Sequence, residues 1–339
     1  MVVEKNTYSG STQNTEKKVL GQLSFLKLIL LCLVSFILCA VGPLVIFSPI
    51  PLAMAFLMYG FVQTFSVALV AILASMALSV TVPAMAELSI YSVIMVMVTI
   101  VGFMVSTIVV RGEHPVKGFI LRGLVSLSAI GLLVFAANVV SQEPLTATFE
   151  KQIVEYANGV KSTENYQSVI KNGGDDARQI EQFMSNPVEV LRQFYNWIFS
   201  LVFVLVFFVL WLSTFTVMRN KSLWQGLHNY KYGLSDFVKF KVPDFVVYFV
   251  IIGFGLFVGS EYLGGETAEV VGGNILLGLG VLYFFQGMGI YVDLLRYLKI
   301  FGLLRNLLTI MTIFYGYQFV AIAGLFDTWV NFRKYFKKK

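Results

Sequence analysis

The sequence predicts an all-α integral membrane protein: a polytopic bundle of eight or nine transmembrane helices, one of them broken, with an extracytoplasmic helical insert. Three observations predict it. Of 339 residues, 57% are hydrophobic and 13% charged, and the mean hydropathy of +0.78 is too apolar for a water-soluble chain of this length. Apolar runs of ~20 residues, enough at ~1.5 Å per residue to cross ~30 Å of hydrocarbon, recur along most of the chain. Lysine and arginine gather in the short connections and the tail, a pattern that sets topology. Lipid offers backbone groups no partner, so each run must be a helix.

Residues 1–24 form a polar cytoplasmic tail, too poor in apolar residues to pack. The apolar run behind it is long and starts late, so it is a retained span and not a secretory leader. N-terminal membrane helices occupy 25–140, with spans at 25–42, 61–82, 89–110 and 118–140. Between the first two, "GPLVIFSPIPLAMAFLMYG" carries Pro43, Pro49 and Pro51 and predicts a broken crossing. The insert at 141–193 reads as a helical hairpin broken at "NGGD". It is a solvated cap or a lid over an outward-facing site. C-terminal membrane helices fill 194–328, with spans at 194–217, 243–262, 269–291 and 302–326, and a basic tail covers 329–339.

Charge bias orients the chain. With the N-terminus cytoplasmic and the broken helix crossing, the loop bearing Arg111, Lys117 and Arg122 lies inside, the insert outside, and the 219–241 loop inside. That last loop sets five basic residues against Asp236. A single crossing by 302–326 would put Lys337–Lys339 outside; a re-entrant hairpin hinged near Tyr315, Gly316 and Tyr317 would keep them inside. The net charge of +6 therefore reports membrane orientation and no nucleic-acid partner.

Enzyme chemistry lacks its parts. His114 and His228 fall in predicted loops, and no zinc-protease, nucleophile-elbow or phosphate-cradling motif is present. Asp244, Asp293 and Asp327 all fall at predicted span ends, not inside spans as paired intramembrane catalytic acids would. The expectation is no catalysis, no metal and no cofactor. Cys32 and Cys39 lie seven residues apart on one helix, about 10 Å along its axis and beyond disulfide reach, so they are packing residues.

The remaining polar and small residues have specific readings. Asp244 follows Pro243 and caps a helix start, or pairs with Lys241. Asp327 needs a partner at the hydrocarbon edge, with Arg296 or Arg305 as candidates, because Arg333 lies about 120° away around the helix. Trp329 and Arg333, four apart, can stack at headgroup depth as an anchor. Gly273, Gly280 and Gly287 recur every seven residues, and Gly255 and Gly259 form a GxxxG pair, so these two helices are expected to pack through them. Gln286, Tyr283, Gln63 and Asn274 are interhelical hydrogen-bonding groups or the lining of a ligand cavity.

"SPIPLAMAFLMYG", "FKVPDFVVYF", "YFFQGMGIYVDLL" and "GLFDTWVNFRK", in that order, make the chain resemble the YybS-like family of bacterial multi-pass membrane proteins, a family of unknown function. That family is remotely similar in fold to the S components of energy-coupling-factor transporters. The resemblance implies a bacterial inner-membrane bundle with an outward-opening small-molecule site and an energy-coupling partner. Where S components commonly carry an alanine pair for docking that partner, the first helix here has Ser35 and Cys39. The leading expectation is a protein that binds or translocates a small organic solute. The alternative is a non-transporting scaffold that recruits envelope or cell-division partners.

Overall fold

The structure, a computed structural model, describes residues 24–82, 85, 88–140 and 144–336. The polar tail through residue 23 and Lys337–Lys339 lie outside the described residues. Among those described, every regular element is helical. Six helices are long and apolar enough to cross a membrane, a bent pair adds a seventh, and two shorter apolar helices accompany them.

Contacts divide the chain into two compact units. In the first, α1 (Phe25–Ala40) leads through a 3-10 turn (Gly42–Phe47) into α2 (Pro49–Tyr59), followed by α3 (Phe61–Thr81) and α4 (Leu88–Val110). The proline-rich stretch is thus one span of two parts. Pro49 and Pro51 sit where a helix start tolerates a missing N–H, and Ser48 bridges the junction by donating its hydroxyl to Val45 O at 2.5 Å. Leu28, Cys32 and Cys39 of α1, Leu52 and Phe56 of α2, Ala68 and Ile72 of α3, and Met95 and Val98 of α4 form one buried core. Both cysteines are free. Ser75 and Ser92 join α3 to α4 through a buried hydroxyl pair at 2.6 Å.

Three long helices follow in the chain: α5 (Pro115–Val140), α10 (Ile198–Met218) and α15 (Glu266–Tyr297). The part of each that belongs to the first unit contributes to an aromatic core. Phe119 of α5 sets its edge against Phe207 of α10 at 5.5 Å and Phe285 of α15 at 5.4 Å, while Trp211 stacks on Phe285 at 5.3 Å. Gly123 leaves the space that the Phe207 ring occupies. The loop after α10 contains two short helices, α11 (Lys221–His228) and α12 (Leu234–Phe237), and is docked firmly. Trp224 donates to Val217 O at 2.6 Å, Tyr230 OH donates to Glu113 O at 3.0 Å, and His228 meets Leu57 O at 2.8 Å. The Arg122 guanidinium pairs with Glu113. Burial pushes the Tyr230 phenol above its usual range.

The second unit holds the insert, which is four helices and not a hairpin: α6 (Leu145–Lys161), α7 (Glu164–Asn172), α8 (Asp175–Ser185) and α9 (Pro187–Tyr195). The expected break falls at Gly173 and Gly174, both at positive φ. Two others arise from local caps: the Thr163 hydroxyl accepts from Tyr166 N, and Pro187 opens α9. Arg192 pairs with Glu150 at 3.1 Å, tying α9 to α6.

In the same unit α13 (Val246–Val258) packs on the first turns of α15. It spans 13 residues, shorter than the expected 243–262, because the chain breaks at Gly259 before a single turn, α14 (Ser260–Leu263). The two helices meet through Gly253 and Gly272, where a methyl group on Gly272 would collide with Gly253 O. The expected pair misses this contact: Gly255 faces open space and Gly259 lies past the helix end. The seven-residue glycines share no seam either. Gly273 receives the Trp197 ring, Gly280 faces open space, and Gly287 faces a different helix. A straight helix drifts about 20° per heptad, so strict seven-residue spacing holds one seam only in a supercoil.

In the first unit, α16 (Gly302–Tyr315) and α17 (Tyr317–Val330) bend by 93° at Gly316, inside the expected hinge, before a last turn, α18 (Arg333–Phe336). α17 crosses α15 with the two backbones in contact: a methyl group on Gly287 would strike Val320 O, and one on Gly324 would strike Tyr283 O. Gly287→Ala and Gly324→Ala should therefore each cost about 1–3 kcal/mol. Gly280→Ala, which meets nothing, should be neutral or gain up to about 1 kcal/mol. Thermal unfolding in one detergent separates them; equal effects at the three positions would contradict the crossing.

Candidate functional site

Two of the polar side chains that sequence singled out, Gln286 and Asp327, meet where α15 crosses α17. Gln286 is completely buried. Its Oε1 accepts from Val242 N at 2.7 Å and its Nε2 donates to Asp327 Oδ2 at 3.1 Å. Asp327, 5% exposed, uses Oδ1 to accept from Phe332 N at 2.7 Å. One amide and one carboxylate thus join α15, α17 and the non-helical stretch 240–243. Sequence explains the local geometry: Gly287 and Gly324 remove the side chains that would hold the helices apart, and Gln286 is the right length to bridge them.

Neutral donors hold Asp327. Neither Arg296 nor Arg305 pairs with it, and no ion pair to it occurs among the described residues; Arg296 instead meets Asp293 at 3.3 Å. Hydrogen bonds from an amide and a backbone N–H stabilise a carboxylate without a second buried charge.

Arg333 departs from its expected role as well. α17 ends with Asn331 in the left-handed conformation, so four-residue helical spacing from Trp329 no longer applies. The guanidinium turns to Val238 O at 2.8 Å and Phe240 O at 3.5 Å, and lies 3.6 Å from Asp293, an ion-pair distance too long for a hydrogen bond. Trp329, largely exposed, packs against Phe326 at 6.2 Å. Its position still suits an interfacial anchor.

The other candidates have separate places. Tyr283 is buried, and its hydroxyl faces that of Thr328 outside good hydrogen-bond geometry. Gln63 is exposed on α3. In the second unit Asn274 is fully engaged: Oδ1 accepts from Ser200 N at 3.2 Å, and Nδ2 donates to Asn196 O and Val270 O at 2.8 Å. Asp244 is exposed and pairs with Lys241 at 2.9 Å, while α13 begins two residues later, so it precedes the helix it was expected to open.

Among the described residues two clefts stand out. One, of about 390 Å³, lies within the insert between Val154, Asn158 and the α8–α9 connection. The other, of about 680 Å³, lies at the C-terminal end of α15 and is lined by Lys239, Asp293, Arg296, Lys299 and Arg333 with Tyr297, Asn331 and Phe336. None of the four proposed ligand residues lines either cleft. Sequence reading missed this grouping of Lys239, Asp293 and Lys299. The three-residue step from Asp293 to Arg296 was visible as a helical pair, but Lys239 arrives from a distant segment.

Among the described residues no group of three or more metal-ligating side chains forms. The crossing itself is suited to holding helices together. Replacing Gln286 by Leu strands Asp327 and Val242 N, at a cost of about 1–3 kcal/mol. Asp327→Asn, which still accepts hydrogen bonds, should cost less. A cycle of Gln286→Leu and Asp327→Leu should give a coupling of at least about 0.5 kcal/mol in detergent unfolding; additive losses would mean the two side chains do not act together.

No curated protein and no solved structure matches the chain. Residues 26–328 match the family described as Predicted membrane protein (DUF2232), in keeping with the resemblance to a multi-pass family of unknown function. With its apolar spans and a match over most of its length, the chain belongs to this family of membrane proteins.

Proposed function

We propose that this protein is a non-catalytic scaffold of the bacterial inner membrane, with a cytoplasmic N-terminus, recruiting other proteins through its basic loops and its helical insert. The observation that carries this reading is the closed crossing of α15 and α17. Gln286 spends its carbonyl on Val242 and an N–H on Asp327, and the backbones touch at Gly287 and Gly324. The polar groups that a solute site would use here serve the chain's own packing. The surface open to a partner lies outside the hydrocarbon: five exposed bases in the 219–241 loop, and amphipathic insert helices with Phe149, Tyr156 and Phe194 exposed.

Solute binding in the manner of an S component is the second reading. The buried hydroxyls of Tyr283 and Thr328, which face each other outside good hydrogen-bond geometry, favour it, since a poorly satisfied buried polar group invites a guest. Under either reading we place the C-terminal tail on the cytoplasmic side, since beyond the bent pair Arg333 and Phe336 come back to Asp293 and Tyr297.

Native mass spectrometry of gently extracted protein separates the two readings. The scaffold predicts a co-purifying protein and no stoichiometric organic solute. A solute retained one-to-one and lost on Tyr283→Phe would overturn it. The orientation has its own check, because a membrane crossing by α10 would put Gln225 and Asn165 on opposite faces. Single cysteines at these positions should label from opposite sides of sealed vesicles; labelling from one side rejects the arrangement.

A further inference from the structure

We propose that the cleft at the C-terminal end of α15 is a binding site for the phosphate of an anionic phospholipid. This goes beyond the scaffold reading and does not depend on it.

Four cationic side chains from three separate segments meet there: Lys239 from the loop after α12, Arg296 and Lys299 from the end of α15, and Arg333 from α18. Their neutralisation is incomplete. Asp293 is shared between two guanidiniums, at 3.3 Å from Arg296 and 3.6 Å from Arg333. Lys239 has Asp236 at 3.5 Å. Lys299 has no ion pair among the described residues. Four positive charges against two carboxylates leave the cleft with an unmet charge of two.

The cleft is also built in advance. Arg333 is held in place by the carbonyls of Val238 and Phe240, which orient its guanidinium without cancelling its charge. Lys299 and Asn331 both adopt positive φ, at 57° and 50°. A lysine there is held against its backbone preference, a strain more often met at ligand sites than elsewhere.

Position selects the ligand. α15 runs 32 residues, about 48 Å at the usual rise and longer than the ~30 Å apolar layer, so Arg296 and Tyr297 in its last turn sit at headgroup level. Phosphate is the anion found at that depth, and planar guanidiniums bind it through paired hydrogen bonds. Tyr297 and Phe336 pack 5.9 Å apart on the cleft wall, and Leu298 and Phe301 beside it are exposed. Such a rim suits glycerol and acyl carbons. The volume of about 680 Å³ exceeds a bare phosphate and accommodates a headgroup.

The test uses the full chain in mild detergent, with native mass spectrometry counting bound phosphatidylglycerol against phosphatidylcholine. Phosphatidylglycerol should be retained preferentially. Lys299→Gln and Arg296→Gln should each weaken its retention about fivefold, while Lys299→Arg should preserve it and show that loss follows charge and not folding. Equal retention of the two lipids, or undiminished phosphatidylglycerol on the Lys299→Gln/Arg296→Gln variant with an unchanged melting temperature, overturns the proposal. Displacement of the lipid by millimolar inorganic phosphate overturns the lipid source and assigns the cleft to a soluble phosphate group; failure to displace it supports the lipid.

Discussion

A carboxylate carried to the edge of hydrocarbon must find hydrogen-bond donors inside the protein, because lipid supplies none. Asp327 finds two, the Gln286 amide and the Phe332 backbone N–H, and much of the first unit's C-terminal half is arranged so that it can. The amide reaches Asp327 because α15 and α17 touch at Gly287 and Gly324. Gln286 then has its carbonyl left over, and Val242 N takes it. A backbone N–H bound to a side chain is lost to a helix. Residues 240–243 accordingly run without regular structure, and α13 begins at Val246. Arg333 reinforces the same stretch from the opposite side through Val238 O and Phe240 O. A single buried amide thus ties the crossing of two helices to the stretch that leads into a third.

Sequence conveyed the elements well because membrane helices are written in composition: a run of apolar side chains is legible wherever it falls. The proline-bearing second span and the hinge at Gly316 were equally legible, since proline and glycine act on their own backbone. Tertiary partners were much less so. Asp327 was expected to seek a base and took an amide. The stack expected between Trp329 and Arg333 assumed a helix that Asn331 ends. The GxxxG pair pointed to the right two helices and the wrong glycines, because Gly253 and Gly272 make the contact. In each case the deciding partner lies tens of residues away, where no local spacing can signal it.

Polar groups are spent differently in the two settings. Within the spans the amides are turned inward and consumed: Gln286 and Asn274 use both ends, and Ser75 and Ser92 pair with each other. Apolar side chains on the same helices remain outward, with Val62, Val80 and Ile251 more than half exposed, as a lipid environment requires. At the helix ends the balance reverses, and charges stand in excess of their partners. The charged groups available to another molecule are therefore those at the water and headgroup boundaries, a consequence of the bilayer as solvent more than of any particular motif.

The end of α15 carries that logic furthest. Arg296 and Tyr297 close a 32-residue helix, the chain turns at Lys299 through a conformation costly for lysine, and after the bent pair it returns to the same place at Asn331 and Arg333. Two departures from helix thus converge on one cleft from segments some thirty residues apart. If Lys299 were only a helix terminator, glycine would serve at less strain, as it does at Gly60, Gly173 and Gly264. A side chain at position 299 has a use only if its charge matters where that turn puts it, beside two arginines that share one carboxylate.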